Sequence, residues 1–215
     1  MKVKIPKLIK MLYPRRIWDG GREAKIIYLT FDDGPIHEVT PWVLQQLKKY
    51  DAKASFFCIG DNLAAHPDIF KRLIAEGHSV GNHTYNHLNG WKTSTKDYLQ
   101  NTSKAQQLMQ EYAPQRALKN AFFRPPYGKI RNRQAKKLCR QGYKIVMWDI
   151  VSEDYNREIT PEKCLQNVLK YTVPGSLIVF HDSLKAERNM KYALPRVLEH
   201  YSQRGYSFRS LDELV

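Results

Sequence analysis

Short apolar runs alternate with helix-like stretches along nearly the whole chain, and that alternation restricts the possible folds more than any other property. Strand candidates rich in apolar and β-forming residues occupy 25–30, 54–59, 79–83, 121–124, 144–150, 177–181 and a short 207–211. Helical patterns lie between them. Thr40-Pro41 pairs an N-cap with a proline at the first helical position ahead of 42–50, and Thr160-Pro161 repeats that signature ahead of a helix to Tyr171. A helix over 67–76 is ended by Gly77, and one over 132–141 by Gly142. Ser94 opens a long polar-faced helix to Tyr112, with Asp97 at the capping-box offset and Pro114 just beyond its end. The last helix spans 185–204, with a bend expected at Pro195. Seven strands alternating with six helices predict parallel βα units of one α/β domain, a size that 215 residues support. No repeat, low-complexity tract or interdomain linker is visible. The division reads as an N-terminal arm over 1–23 and a folded domain over 24–215.

The residues with useful chemistry fall at the C-terminal ends of those strands: Asp32 and Asp33, His83, Arg124, Asp149 to Asp154, and His181. That end is where βα barrels and open α/β sheets build their sites. Alone, Asp32-Asp33-Gly34-Pro35 is a turn. At a strand end, however, two adjacent carboxylates diverge, so that one can face a metal and the other a water. His83 and His87 are four apart, a spacing that on a helical turn places both imidazoles on one face. With a carboxylate they form a two-histidine, one-carboxylate set suited to Lewis-acid hydrolysis. Arg124 precedes two prolines, which reads either as a rigid surface loop or as a guanidinium pinning a catalytic carboxylate through a bidentate pair. Tyr127-Gly128 then offers a tight turn whose backbone N–H can face an oxyanion. A histidine acid at 181 needs a carboxylate to hold its tautomer, and Asp154 is the candidate. His78, His37, His66 and His200 read as non-catalytic.

Hydrophobic content of 42% and aromatic content of 12% fit a folded soluble chain. The net charge of +14 favours anionic partners such as acidic glycans or lipid headgroups. The basic residues are dispersed and match no nucleic-acid module, so specific nucleic-acid binding is not expected. Residues 1–11 lack an uninterrupted apolar core and a cleavage site, and no run is long enough to cross a bilayer. A cytoplasmic or peripheral membrane location is therefore expected. This segment reads either as an arm packed on the domain or as a basic amphipathic segment that binds a surface. Cys58, Cys139 and Cys164 are odd in number and widely spaced, so no disulfide framework is expected, and Cys58 is read as buried.

Taken together, Thr30-Phe31-Asp32-Asp33-Gly34-Pro35, His83-Thr84-Tyr85-Asn86-His87, Arg124-Pro125-Pro126-Tyr127-Gly128, the segment from Trp148 to Tyr155, and Leu177 to Asp182 resemble the five motifs, in order, of the polysaccharide deacetylases with the NodB homology domain, carbohydrate esterase family 4. The resemblance covers most of the chain. It implies a distorted (β/α) barrel of about seven strands and metal-dependent removal of acetyl groups from sugars. It implies one divalent ion, Zn²⁺ foremost with Co²⁺, Ni²⁺ or Mn²⁺ as alternatives, held by Asp33, His83 and His87. By the same resemblance Asp32 takes the place of the general base, Arg124 orients it, His181 is the acid and Asp154 tunes that acid. Tyr127 supplies the oxyanion N–H, and Val179 the apolar wall for the acetyl methyl. The implied partner is an acetylated amino-sugar glycan, N-deacetylated by a monomer. O-deacetylation of a polysaccharide such as xylan, or glycan binding without catalysis, are the alternatives. The fourth motif departs from the common Asp-x-x-Asp-Trp: here it reads Val151-Ser152-Glu153-Asp154-Tyr155. The first aspartate is absent, tyrosine replaces tryptophan, and Trp148 is placed to fill part of the wall.

Overall fold

A computed structural model describes residues 3–113 and 117–215; Met1, Lys2 and the expected helix stop at Pro114 lie outside them. The strands are β1 (Ile26–Asp32), β2 (Ala54–Cys58), β3 (Ser79–Asn82), β4 (Phe122–Phe123), β5 (Lys144–Ile145), β6 (Ile150–Val151), β7 (Leu177–His181) and β8 (Ser207–Phe208). The helices are α1 (Lys7–Leu12), α2 (Thr40–Lys49), α3 (Gly60–Ala65), α4 (Pro67–Ala75), α5 (Thr95–Tyr112), α6 (Asn132–Arg140), α7 (Pro161–Leu169) and α8 (Glu187–Ser202). Seven strands run in the order β5-β4-β3-β2-β1-β7-β6, and β8 adds to the start of β1. Every pairing is parallel. The result is a curled (β/α) half-barrel in which β1 lies between β2 and β7.

Strand periodicity sorts the core into two layers. Ile27, Leu29 and Phe31 of β1 join Phe56, Ile178 and Phe180 in one cluster with α2, α7 and α8, through residues such as Leu44, Val168 and Val197. Their neighbours in sequence, Tyr28, Phe57, Leu177 and Val179, join Phe123 and Trp148 in a second cluster. Successive strand side chains point to opposite faces. Asp32 therefore shares the face of Tyr28, and His181 that of Val179, on the inside of the curl.

The cap signatures hold at Ser94 and Thr160, whose hydroxyls accept from Asp97 N and Lys163 N, both at 3.2 Å. At Thr40 the expectation fails. Val39 is the N-cap residue, and the Thr40 hydroxyl accepts from Ile36 N while donating to Asp182 Oδ2 at 2.6 Å. The final helix runs through Pro195 without a break. Helices α1 and α3 carry no signal that the sequence reading used.

The expected strand over 144–150 divides into β5 and β6, which lie at opposite ends of the sheet order. Between them the chain crosses the open seam of the barrel. Val146 N still reaches β4, at Phe123 O, but Asp149 N reaches β7, at Leu177 O. The N-terminal arm fills the gap. Ile17 N donates to Ile145 O and Met147 N to Ile17 O, while Ile5 N donates to Asp149 O and Val151 N to Val3 O. Without these contacts two sheet edges would keep unpaired backbone groups. Asp149 fixes the arm from inside. It is fully buried, and it accepts from Lys4 at 2.6 Å, from Lys10 and from Ser176 Oγ at 2.8 Å. Burial alone would raise its pKa, yet the lysine contacts prevail and hold it below the usual carboxylate value. No helix among the described residues is long and apolar enough to cross a membrane.

Replacing Asp149 with alanine leaves Lys4 with Tyr171 O and Lys10 with Asp19 as their remaining partners, and breaking a buried pair of this kind costs up to roughly 3–5 kcal/mol. Urea unfolding of Asp149→Ala should show a loss of that size together with faster proteolysis before residue 24. An unchanged midpoint would mean that the arm is held by its backbone bonds alone.

Candidate active site

The C-terminal ends of β1, β3, β4, β6 and β7 open into one cavity of about 510 Å³, lined by Asp32, Asp33, His83, His87, Tyr127, Trp148, Tyr155, Val179 and His181 among others. The residues picked out from the sequence lie in it or directly behind it, except Asp149, which precedes β6 and binds Lys4 and Lys10 of the arm instead. Arg124 and Asp154 are the two behind, each fully or almost fully buried.

Arg124 is the deepest of these. Its Nη1 donates to Asp32 Oδ1 at 2.6 Å and to Thr30 Oγ1 at 2.7 Å, and its Nη2 donates to Met147 O at 2.9 Å. The expected bidentate pair is therefore not formed: the second nitrogen is committed to the seam-crossing backbone. The guanidinium carbon lies 4.0 Å from the centre of the Phe57 ring, a favourable cation–π stack. Burial would raise the pKa of Asp32, but the guanidinium charge, helped by nearby histidines, overrides it and holds the carboxyl below its usual value. Asp32 is thus an anion with one oxygen tied down and Oδ2 turned towards the histidines, 4.0 Å from His83 Nε2.

His83 and His87 do not sit on a helical turn, contrary to the spacing argument. His83 directly follows β3, and the loop it opens brings His87 back through positive φ at Thr84 (64°) and at His87 itself (53°). The two rings lie 5.0 Å apart. His83 Nδ1 is 2.7 Å from Arg124 O. A carbonyl only accepts, so Nδ1 carries the proton and Nε2 presents its lone pair to the cavity. Burial pushes the pKa of His83 down to about 4 and lowers that of His87, so both rings are neutral near pH 7. Asp33 Oδ1 is 3.8 Å from His83 Nε2 and 3.3 Å from His87 Nε2. It is buried and has no hydrogen-bond partner. An orphaned carboxylate oxygen facing two imidazole nitrogens is costly in an empty pocket and natural in a cation site. One ligand atom from each of the three residues falls within 4.8 Å of the others.

Across the cavity, Asp154 clasps His181 twice. Oδ2 accepts the backbone N–H at 2.7 Å and Oδ1 lies 2.8 Å from Nδ1, which must carry the proton. Nε2 is left for the cavity. Burial would lower the pKa of His181, but the Asp154 charge and hydrogen bond outweigh it and push the ring up to about 9. Asp154 is itself placed by Ser152 Oγ, which accepts from its N–H at 3.2 Å, and by Asn189, which donates to its carbonyl at 3.1 Å. Tyr127 has φ 60° in a 3₁₀ turn, and its ring packs on His87 at 4.6 Å. Gly128 follows with φ 68°, and a Cβ there would lie 2.6 Å from the Trp148 ring.

These observations together present a set of neutral nitrogen and carboxylate donors, an ionised aspartate and a protonated histidine around one cavity. The polysaccharide deacetylase family model matches residues 19–146. The chain belongs to the polysaccharide deacetylase family. It is a deacetylase, a hydrolase of acetylated glycans. A peptidoglycan-N-acetylglucosamine deacetylase of Bacillus cereus is 34% identical over 201 residues, which is 92% of this chain and 70% of that protein. The peptidoglycan-N-acetylmuramic acid deacetylase PdaA of Bacillus subtilis is 31% identical, over 91% of this chain and 73% of that protein. Among solved structures, the Bc1960 peptidoglycan N-acetylglucosamine deacetylase superposes with a TM-score of 0.87 at 31% identity, covering 98% of this chain and 96% of that one.

Several residues that build this deacetylase site were not singled out from the sequence. Asp182 accepts from Gly34 N at 3.0 Å and from the Thr40 hydroxyl, which holds the loop carrying Asp33. A Cβ on residue 34 would lie 1.9 Å from Asp182 Oδ2, so only glycine fits. Burial pushes the Asp182 carboxyl up to about 8. Asn62 Nδ2 donates to Asp33 O at 2.6 Å. Thr30 shares the guanidinium with Asp32. Lys129 and Lys185 also line the cavity. Asp182 directly follows His181, and that adjacency was its only signal. His78 remains outside the site as expected: buried, it accepts from Ala54 N through Nδ1.

Removing both imidazoles, as in His83→Ala/His87→Ala, should abolish binding of a divalent ion measured by calorimetric titration with Zn²⁺. The wild-type chain should bind one ion. Full occupancy in the double variant, with a native circular dichroism spectrum, would remove these residues from the metal set.

Proposed function

We propose that this chain is a metal-dependent N-deacetylase of peptidoglycan-type amino-sugar glycans, converting an N-acetylated sugar to free amine and acetate. The observation that carries the reading is the meeting, in one cavity, of an ionised Asp32, a protonated His181 paired with it on the neighbouring strand, and the Asp33, His83 and His87 donors. The names of the relatives support the substrate class. Asp33, His83 and His87 would hold the ion, for which Zn²⁺ is the best match to two nitrogens and one carboxylate, with Co²⁺, Ni²⁺ or Mn²⁺ as substitutes. When bound, it supplies Lewis-acid polarisation of the acetyl carbonyl.

The remaining work falls to the protein. Asp32 Oδ2 accepts a proton as water adds to the carbonyl carbon, while Arg124 keeps Oδ1 occupied and the carboxylate ionised. The backbone N–H of Tyr127 faces the oxygen on which negative charge develops. His181 Nε2 then gives its proton to the sugar nitrogen as the carbon–nitrogen bond breaks, and Asp154 holds the ring for that transfer. Val179, Trp148 and Tyr155 form the wall for the acetyl methyl. Tyr155 packs edge-on against His181 at 5.0 Å, which gives the tyrosine of the altered fourth motif a place beside the acid.

The test is acetate release from N-acetylglucosamine oligomers and from acetylated xylan, with kcat/KM followed against pH. Release from the amino-sugar oligomer should dominate; release from xylan alone would make the chain an O-acetyl esterase. The sign of the pH dependence follows from His181. Its raised pKa of about 9 keeps it protonated through neutrality, and activity falls as pH rises through that value. Asp154→Asn removes the charge that raises it, so the alkaline limb should move to lower pH. An alkaline limb that stays in place would separate Asp154 from the acid.

A further inference from the structure

The arm that seals the barrel seam has its polarity reversed. Lys10 of α1 turns inward to Asp19 and the buried Asp149, and Lys4 just upstream turns inward to Asp149. Leu8, Met11 and Leu12 stand outward, 68%, 74% and 66% exposed. Single exposed apolar residues need no explanation. Here, five of the ten large hydrophobic residues exposed among the described residues fall within positions 8–13: Leu8, Ile9, Met11, Leu12 and Tyr13. The ion pairs on the inner side stop the arm from rolling over to hide them.

The charge around this apolar tip is of one sign. A groove between the arm and α6 is lined by Leu12, Tyr13, Arg15, Arg16, Lys136 and Arg140. Neither residues 3–18 nor residues 129–148 contain an aspartate or glutamate. A second copy of the chain meeting this patch face to face would set those cations against one another. A surface that is both anionic and apolar just beneath its charges answers both features.

We propose that the arm and α6 form a docking surface for an anionic lipid bilayer. Leu8, Met11 and Leu12 enter the headgroup boundary, and Arg15, Arg16, Lys136 and Arg140 lie over lipid phosphates. The surface is separate from the catalytic cavity, with which it shares no lining residue. Docking therefore leaves turnover of a soluble oligomer unchanged.

The experiment is co-sedimentation with vesicles of phosphatidylcholine alone and of phosphatidylcholine mixed with phosphatidylglycerol. The wild-type chain should pellet with the mixed vesicles and stay in solution with the neutral ones. Leu8→Ser/Met11→Ser/Leu12→Ser and, separately, Lys136→Glu/Arg140→Glu should each lower the partition constant by about tenfold or more, given that both apolar insertion and charge contribute. Both variants should release acetate from a soluble oligomer at the wild-type rate, which also reports that they fold. Three results would overturn the proposal. One is no wild-type binding to the mixed vesicles. Another is a serine variant that binds them as well as wild type and is displaced by heparin, which marks a general polyanion site. The third is a wild-type dimer in sedimentation velocity that the serine variant abolishes, which assigns the patch to a second copy.

Discussion

The buried ion pair between Arg124 and Asp32 is the contact on which the rest of the site depends. A guanidinium with no solvent exposure costs several kcal/mol to bury, and only a surrounding set of acceptors makes it tolerable. Asp32, Thr30 and Met147 O provide that set, from β1 and from the segment that crosses the seam. The same residue's backbone carbonyl fixes the tautomer of His83, and its N–H donates to Asn82 O at the end of β3. One arginine thus sets the ionisation of the proposed base, the direction of a proposed metal donor and the alignment of two strands. Truncating such a residue would be felt in stability and in chemistry together.

The seam is the second constraint. A curled sheet of seven strands does not close by itself, and the chain bridges the opening twice, with the segment between β5 and β6 and with the N-terminal arm. Asp149 ties those two pieces together through Lys4 and Lys10. Met147 belongs to both systems: its N–H reaches the arm at Ile17 and its carbonyl receives Arg124. The arm is therefore mechanically continuous with the wall of the cavity, although its outer face carries none of the catalytic groups.

Much of this was legible because strand periodicity and residue chemistry agree. The half-barrel follows from β runs separated by helical patterns, and the cavity from the placement of Asp32, His83, Arg124, Asp154 and His181 at strand ends. What was not legible has physical reasons. The run 144–150 is apolar but for Lys144 and Asp149 and reads as one strand, because its composition does not reveal that its two halves bond to different neighbours. Spacing alone put His83 and His87 on a helix, but the rings meet through left-handed backbone at Thr84 and His87, conformations that no residue preference there announces. Five of the six non-glycine residues with positive φ lie in the motif loops: Asp33, Thr84, His87, Tyr127 and Glu153. Such conformations persist where the surrounding structure over-determines them. Thr40 shows the converse error. Its sequence context is that of a cap, but a buried carboxylate at Asp182 competes for its hydroxyl and wins.

We propose that Asp32, held by Arg124, is the proton acceptor while its neighbour Asp33 serves the ion. Asp32→Asn keeps the shape and removes the basicity. Acetate release and bound metal, measured on the same preparation, separate the two aspartates. Metal content should be unchanged and kcat lowered roughly 10²–10⁴-fold, the usual contribution of a positioned general base. A variant that binds its ion and turns over at the wild-type rate would contradict this assignment.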